Sequence, residues 1–372
     1  MVSRVFLGTE GSKYSDLCHA LSLGITTIFA VKGGWKQRET ASWLVKHALA
    51  AMECFGDVVE DCFVLNEPWC AAMQSYHLGI HAPGEEDIYG ALLSAHHMLL
   101  AQGMIVREAK LRFPYLRVGT VYNVQTRYAA TSAADDQEAS ARANAYFNDL
   151  FFEPTYLGRY PQKLEEICGE KMPEFSKSDM EIICVVELLD YHGINYHNGA
   201  LNRLDPAQAL GYSTVVEKNL GINDLGWPIF VAPHYPEGLY DILTELYDRY
   251  REVGMSNLMI TENGMALSSE WEGVSEIVAD PKRIEYLKAH LAQAHKAILR
   301  GVPLTGYFAW TLMDNYEWAE GYRPESCFGM VHIDRDSLQR ISKESYYWYQ
   351  ALARLGRLLP WVVDIFTVLS SF

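Results

Sequence analysis

Short runs of β-branched and aromatic residues alternate along this chain with long stretches in which apolar residues recur every three or four positions. The alternation predicts strands within residues 25–30, 61–66, 117–123, 191–197, 257–263 and 304–310. It predicts helices over residues 38–55, 87–113 and 281–300. Strands that alternate with helices are typical of βα units around a parallel sheet. Because no linker or short repeat interrupts the pattern, we predict a single α/β domain over residues 1–372.

The composition excludes several classes of partner. The chain has 372 residues, of which 49% are hydrophobic, so it can bury a large core. Its formal net charge is −16 and it has no run of Lys and Arg that could follow a phosphate backbone, so we expect no nucleic-acid partner. Neither end carries an uninterrupted apolar run of membrane length, so we expect a soluble protein without a membrane partner.

Cysteine and histidine usage argues against a metal centre. The seven cysteines are an odd number and form no CxxC pair, which favours reduced thiols and a cytoplasmic location over a disulfide scaffold. His96 and His97 are adjacent on a predicted helix and therefore point to different faces. We predict neither a metal ion nor a cofactor.

Polar and aromatic side chains follow the predicted strands at their carboxyl ends. Asn66 and Glu67 come directly after an apolar run, as do Asn195, Glu262 and Trp310. In a (β/α)8 barrel the carboxyl ends of all strands converge on one face. Side chains that are far apart in sequence would then share one pocket, and Glu67 would face Glu262.

Two carboxylic acids that face each other across a pocket are what glycoside hydrolysis requires. One acts as a general acid, and the other acts as a nucleophile or a general base. Taken alone, Glu67 is equally compatible with an ordinary strand end, and Glu262 with a solvated glutamate before a turn-forming Asn-Gly. The pair together favours a glycosidase.

Several segments resemble the signatures of glycoside hydrolase family 1, the retaining β-glucosidases and their relatives. They are "LNEPW" at 65–69, "TENG" at 261–264 and "WTLMDNYEWAEGY" at 310–322. The segments "KGGW" at 32–35 and "HAPG" at 81–84 match the family in order, and the likeness runs from about Tyr14 to about Leu355. The resemblance implies a (β/α)8 TIM barrel and a small-molecule or oligosaccharide β-glycoside as substrate.

The resemblance also implies roles for individual residues. Glu67 would be the acid/base and Glu262 the nucleophile, while Asn66 would hold the sugar 2-hydroxyl. Other side chains implied to contact the sugar, or the nucleophile beside it, are Asn195, His197, Trp310, Glu317 and Trp318. Trp310 would form the stacking platform under the sugar, and Glu317 with Trp318 would bind the outer hydroxyls.

Glu317 carries specificity information within this resemblance. Relatives that act on 6-phosphorylated sugars tend to carry a small hydroxyl residue at this position. A carboxylate would repel a phosphate group, so we expect unphosphorylated β-glucosides or β-galactosides as substrates.

The chain departs from the family pattern at its N-terminal side. The family usually places two βα units before the segment that matches here, with a sugar-binding glutamine on the first strand and an arginine beside the nucleophile on the second. Residues 1–24 are too short and too polar to supply two such units. We therefore expect a barrel that lacks its first two βα units, with exposed sheet edges through which the chain could self-associate.

Two further positions depart from the family. His197 stands where a tyrosine usually steadies the nucleophile, and Cys327 stands where an arginine is usual. Two hypotheses follow from these departures. The protein is either an active retaining β-glycosidase, or a catalytically weak or inactive sugar-binding relative or truncated gene product.

Overall fold

A computed structural model describes residues 6–7, 32–215, 235–269 and 275–355. The strands in these ranges are β1 (Phe6–Leu7), β2 (Asp61–Asn66), β3 (Arg117–Val124), β4 (Arg127–Ala129), β5 (Tyr191–Tyr196), β6 (Ala200–Leu204), β7 (Tyr212–Val215), β8 (Leu258–Asn263), β9 (Leu304–Ala309), β10 (Val331–Ile333) and β11 (Arg340–Ser342). The α-helices are α1 (Arg38–Phe55), α2 (Ile88–Arg112), α3 (Ala134–Asn144), α4 (Leu150–Leu157), α5 (Gln162–Cys168), α6 (Lys177–Ile183), α7 (Pro236–Tyr250), α8 (Pro281–Arg300) and α9 (Glu344–Leu355).

Six of the strands form one parallel sheet in the order β1-β9-β8-β5-β3-β2. Helices connect these strands, as α2 does between β2 and β3 and α8 does between β8 and β9. The α/β class and the barrel-type arrangement of parallel strands predicted from the sequence are confirmed. Five of the six predicted strands correspond to β2, β3, β5, β8 and β9, and the sixth, at residues 25–30, lies outside the described residues.

Burial explains why these segments form an inner sheet. All six residues of β5 are buried, and most of β3 is buried, because helices or other strands cover the sheet. Both strands are buried although their sequences, "YHGINY" and "RVGTVYNV", include polar residues and glycine. Helix α8 instead has one buried face along its length. It begins with Pro281 and ends at Arg300, and Gly301 follows in a left-handed conformation (φ 103°). Because the six strands are parallel, their carboxyl ends all lie at the same edge of the sheet.

The two edges of the described sheet are β1 and β2. Strand β1 pairs in parallel with β9, through Phe6 opposite Gly306 and Leu7 opposite Tyr307. The sequence analysis did not predict a strand there, because two residues are too few to show a period. Strand β2 pairs with β3 on one side, and the described residues supply no strand on its other side.

Smaller elements extend from the carboxyl ends of the strands. Strands β4, β6 and β7 form a separate three-stranded sheet, with β4 after β3 and the other two after β5. Strands β10 and β11 form a hairpin after β9. No helix among the described residues is long and apolar enough to cross a membrane.

Candidate active site

Glu67 lies directly after β2 in a strained backbone conformation. Its φ angle is +48°, which a residue with a side chain adopts at an energetic cost. Its main-chain N–H donates to the oxygen of Val121 on β3, 3.1 Å away, and a helical turn starts at the next residue, Pro68. Residues held in such conformations cluster at functional sites, where the surrounding structure over-determines them. The strand end predicted as a candidate site is therefore a turn that fixes one carboxyl group.

Uncharged donors hold the Glu67 carboxyl group. The Asn195 side-chain amide donates to Oε1 of Glu67 and to Oδ1 of Asn66, each at 2.9 Å. The Cys70 thiol donates to Oε2 of Glu67 at 3.2 Å. Asn195 is itself held by the Thr261 hydroxyl, which donates to its Oδ1 at 2.6 Å. Both carboxyl oxygens of Glu67 thus accept a hydrogen bond.

Glu262 occupies a more enclosed position near the end of β8. The whole Glu262 residue is 9% exposed. The next residue, Asn263, is fully buried, and its side chain bonds to the Tyr196 main chain and the Tyr286 and Tyr307 hydroxyls. Gly264 follows because a Cβ atom there would lie 1.8 Å from the main-chain oxygen of Trp310. This packing accounts for the Asn-Gly pair that the sequence alone could not separate from an exposed turn.

His197 contacts both the end of β8 and the turn that follows it. Its Nε2 is 3.5 Å from Oε2 of Glu262, and its Nδ1 is 3.1 Å from the main-chain oxygen of Gly264. Burial by itself would lower the pKa of His197, but the carboxylates of Glu262 and Glu67 outweigh it and raise the pKa to about 9.

The two predicted catalytic carboxyl groups are close together. One oxygen of Glu67, one oxygen of Glu262 and a ring nitrogen of His197 lie within 4.8 Å of one another. Burial, opposed by His197 and reinforced by the Glu67 charge, raises the pKa of Glu262 to about 7. Carboxylate and imidazole groups are also of the types that bind metal ions.

Glu317 belongs electrostatically to the same site. It lies in the loop after β9, and its main chain pairs with Gly321. Burial raises the pKa of Glu317 to about 7, with His197 lowering it and the charges of Glu67 and Glu262 raising it further. This position is within electrostatic reach of both predicted catalytic residues.

The two tryptophans predicted to bind sugar are less closely tied to the carboxyl pair. Trp310 follows the end of β9, and its main-chain N–H donates to the oxygen of Asn263, 3.0 Å away. Trp318 is 46% exposed, and its ring lies 6.1 Å from that of His81. Asn66, Glu67, Asn195, His197 and Glu262 are thus brought together, while Trp318 lies on the exposed rim.

Two side chains of the site were not predicted from the sequence. Cys70 contacts Glu67 and accepts a hydrogen bond from the Asn123 amide at 3.6 Å. Glu67 precedes the helical turn that carries Cys70, so helical spacing does not predict this contact. The Phe328 ring packs edge-on against the His197 ring with 5.9 Å between centroids. No local sequence pattern predicts this contact.

The sequence and the structure were compared with known proteins. Residues 26–357 match the profile described as glycosyl hydrolase family 1. The chain belongs to this family. Beta-glucosidase A of Thermotoga maritima is 39% identical to it over 87% of this chain and 70% of that relative. Beta-glucosidase A of Acetivibrio thermocellus is 35% identical over 87% of this chain and 70% of that relative.

Solved structures of family 1 glycosidases superpose on the fold. A Thermotoga maritima family 1 glycoside hydrolase, complexed with a cyclophellitol analogue transition state mimic, aligns with a TM-score of 0.82 and 38% identity, covering 89% of this chain and 71% of that one. A beta-glucosidase from Exiguobacterium marinum aligns with a TM-score of 0.81 and 31% identity, covering 88% and 72%. The protein is therefore a glycoside hydrolase with a (β/α)8-type fold, and its chemistry is the hydrolysis of β-glycosidic bonds. The alternative of an inactive relative is not favoured.

Proposed function

We propose that this family 1 protein hydrolyses unphosphorylated β-glucosides or β-galactosides with retention of anomeric configuration. Glu262 is the nucleophile and Glu67 the acid/base. The observation that carries the proposal is the approach of the Glu67 and Glu262 carboxyl oxygens to within 4.8 Å at the same edge of the sheet. Retaining enzymes hold their two carboxyl groups about 5–5.5 Å apart, whereas inverting enzymes leave about 6.5–9.5 Å for a water molecule.

The environments of the two carboxyl groups support this division of roles. Glu67 lies at the half-buried turn after β2. Glu262 is enclosed, which raises its pKa, and the neighbouring His197 ring opposes that shift and so favours an ionised nucleophile. In the first step Glu262 attacks the anomeric carbon while Glu67 protonates the departing oxygen. In the second step Glu67 takes a proton from the attacking water, and the Glu262–sugar bond breaks.

The remaining predicted contacts belong to substrate binding. Asn66 holds the 2-hydroxyl, Trp310 forms the platform under the sugar ring, and Glu317 with Trp318 binds the outer hydroxyls. Glu317, when ionised, repels a phosphate on the sugar, so unphosphorylated substrates are preferred. The relatives named as beta-glucosidases support a glucoside as the first substrate to test.

Trapping and stereochemistry test the central proposal together. A dinitrophenyl 2-deoxy-2-fluoro-β-glucoside should label the full chain once, and peptide mapping should place the sugar on Glu262. Product analysis by proton NMR should show the β-anomer first. Glu252→Gln, at an exposed glutamate before β8, is the control variant and should label like the parent. Appearance of the α-anomer first, or a label on another residue, would overturn the assignment.

We also propose one catalytic domain over residues 1–372 that works in the cytoplasm. The family match over residues 26–357 supports one domain, and no further domain has to be assumed between its ends. Six described cysteines, Cys54, Cys62, Cys70, Cys168, Cys184 and Cys327, are free thiols, which suits a reducing compartment. Alkylation under denaturing conditions without reductant tests this, since a protein matured in a reducing compartment should take up seven labels per chain.

Self-association through exposed sheet edges, as expected of a barrel that lacks its first two βα units, is a further proposal. A strand edge without a partner presents N–H and C=O groups to which a second chain can add. Sedimentation velocity over a hundredfold range of concentration should show a faster species at the higher concentrations. A single monomeric boundary throughout would contradict the proposal.

A further inference from the structure

Both ring nitrogens of His197 face oxygen acceptors. Nδ1 lies 3.1 Å from the main-chain oxygen of Gly264, and Nε2 lies 3.5 Å from Oε2 of Glu262. A neutral imidazole carries one N–H and can satisfy only one of these acceptors, whereas an imidazolium donates from both nitrogens. When Glu262 is a carboxylate, a ring that donates from Nδ1 to the Gly264 oxygen meets it with a second N–H only if the ring is protonated, so the geometry fits a pair of carboxylate and imidazolium.

The charges around His197 favour the same form. The carboxyl groups of Glu262, Glu67 and Glu317 all act on the ring, and they come from three separate elements: β8, the turn after β2 and the loop after β9. The side chain of His197 is 26% exposed, so solvent screens these carboxyl groups only partly. A cation among three acidic groups lowers their mutual repulsion.

The other contacts that the described residues make with His197 come from a tyrosine, a neutral histidine and a phenylalanine. The Tyr286 hydroxyl donates to the main-chain oxygen of His197 at 2.8 Å, and burial raises the pKa of Tyr286 well above its usual value. His290 on α8 is fully buried, and burial lowers its pKa to about 3, so it stays neutral. The edge of the Phe328 ring covers a further side.

We propose that His197 is a positioning residue whose imidazolium ring is the counter-ion of Glu262 and holds it as the carboxylate that attacks the sugar. The inference rests on the proposed role of Glu262, and it gives His197 a part that acts through Glu262 rather than through direct contact with substrate. The ring orients the carboxylate through Nε2 and is itself oriented by the Gly264 carbonyl. Removing the charge would favour the neutral, unreactive form of a carboxyl group that is 9% exposed.

The ion pair should exist in a defined pH window. Glu262 has a pKa raised to about 7 by burial, and His197 has a pKa raised to about 9 by Glu262 and Glu67 against the effect of burial. Below about pH 7 the nucleophile takes up a proton, and above about pH 9 the ring loses one. Formation of the glycosyl-enzyme should therefore be fastest between these two values.

Direct titration of His197 tests the charge without requiring turnover. The full chain is labelled at the histidine ring carbons, and the His197 NMR signal is assigned by its loss in His197→Gln. We expect the signal of an imidazolium at pH 7.5 and a midpoint that falls by at least one pH unit in Glu262→Gln. Glu252→Gln should leave the midpoint unchanged. A parent midpoint at or below about 6.5, the ordinary value for histidine, would overturn the proposal.

The rate of trapping tests the consequence for the nucleophile. With a dinitrophenyl 2-deoxy-2-fluoro-β-glucoside the leaving group needs little acid assistance, so the pH dependence of labelling reports Glu262. In His197→Gln we expect the acidic limb to move up by about one unit, which slows labelling about tenfold at pH 6. His197→Lys should restore part of the loss, and His47→Gln, at an exposed histidine of α1, should change nothing.

The outcomes separate this inference from the proposed function. A label that maps away from Glu262 defeats the proposed function, while the NMR midpoint still decides the charge of His197. A His197→Gln variant that labels Glu262 more slowly by the same factor at every pH would show a purely structural role and would overturn the inference.

Discussion

The two halves of the candidate active site each centre on a glutamate, Glu67 in one and Glu262 in the other, and the surroundings of the two carboxyl groups differ. Glu67 is half-buried, and uncharged donors hold it, the Asn195 amide at one oxygen and the Cys70 thiol at the other. Glu262 is buried and faces the His197 ring. The proposed acid/base and the proposed nucleophile are the same residue type and differ in their burial and in the groups that hold them.

The strands that position the two glutamates also differ in how they are paired. Strand β8, which carries Glu262, is paired on both sides, with β5 and β9. Strand β2, which precedes Glu67, lies at an edge of the described sheet and pairs with β3. The proposed nucleophile is thus held by an interior strand of the described sheet, while the proposed acid/base lies in a strained turn held by hydrogen bonds.

Removing the nucleophile should have the largest effect. Glu262→Gln keeps the shape of the side chain but cannot form the glycosyl-enzyme, so we expect kcat on an aryl β-glucoside to fall on the order of 10⁵-fold. Glu252→Gln is the matched control on an exposed glutamate. Parent-like turnover by Glu262→Gln would contradict the proposed role of Glu262 as the nucleophile.

Removing the acid/base should have a smaller effect that depends on the substrate. Glu67→Gln should slow cellobiose hydrolysis by about 10²–10⁴-fold, because the sugar leaving group needs a proton. With a dinitrophenyl β-glucoside the first step should be nearly normal, and the glycosyl-enzyme should accumulate, because its hydrolysis lacks a base. Equal losses on both substrates would contradict this role, and Glu60→Gln, at an exposed residue before β2, serves as the control.

Removing the thiol beside Glu67 should sharpen the comparison further. Burial, followed by the charge of Glu67, raises the pKa of Cys70 well above its usual value, so Cys70 remains a thiol and a hydrogen-bond donor. Cys70→Ala removes one donor to a charged group, a contact worth about 1.5–3 kcal/mol, and we expect at least a tenfold loss of kcat on cellobiose. Cys70→Ser should recover most of it, and Cys54→Ser at an exposed cysteine should be neutral. A neutral Cys70→Ala would show that Asn195 alone holds Glu67.

The scaffold difference should appear in hydrogen exchange without any substitution. Main-chain amides of β8 should exchange more slowly than those of β2, because an interior strand opens only with larger parts of the sheet, whereas an edge strand can open locally. Mass spectrometry of peptic peptides that cover the two strands measures this in one experiment. Equal protection would indicate that the β2 edge is covered in solution.

Much of this molecule could be predicted from the sequence because it depends on local pattern. The periodicities of strands and helices gave α1 and α8 with the bounds that the structure shows, and β2, β3, β5, β8 and β9 to within one residue at either end. Parallel strands bring their carboxyl ends together, so the sequence alone predicts that Glu67 and Glu262 face each other. The short strand β1 escaped, because two residues carry no period, and its pairing with β9 is a long-range contact.

What the tertiary structure alone decided is the state of the site. The sequence placed a histidine at position 197, but its two acceptors, the Gly264 oxygen and Glu262, belong to a strand and turn more than 60 residues further along. Packing also accounts for two backbone features. Glu67 adopts a φ angle of +48°, and the carbonyl of Trp310 leaves room only for glycine at position 264. Residue type fixes which charges a site can carry, whereas burial and through-space neighbours fix which of them it does carry.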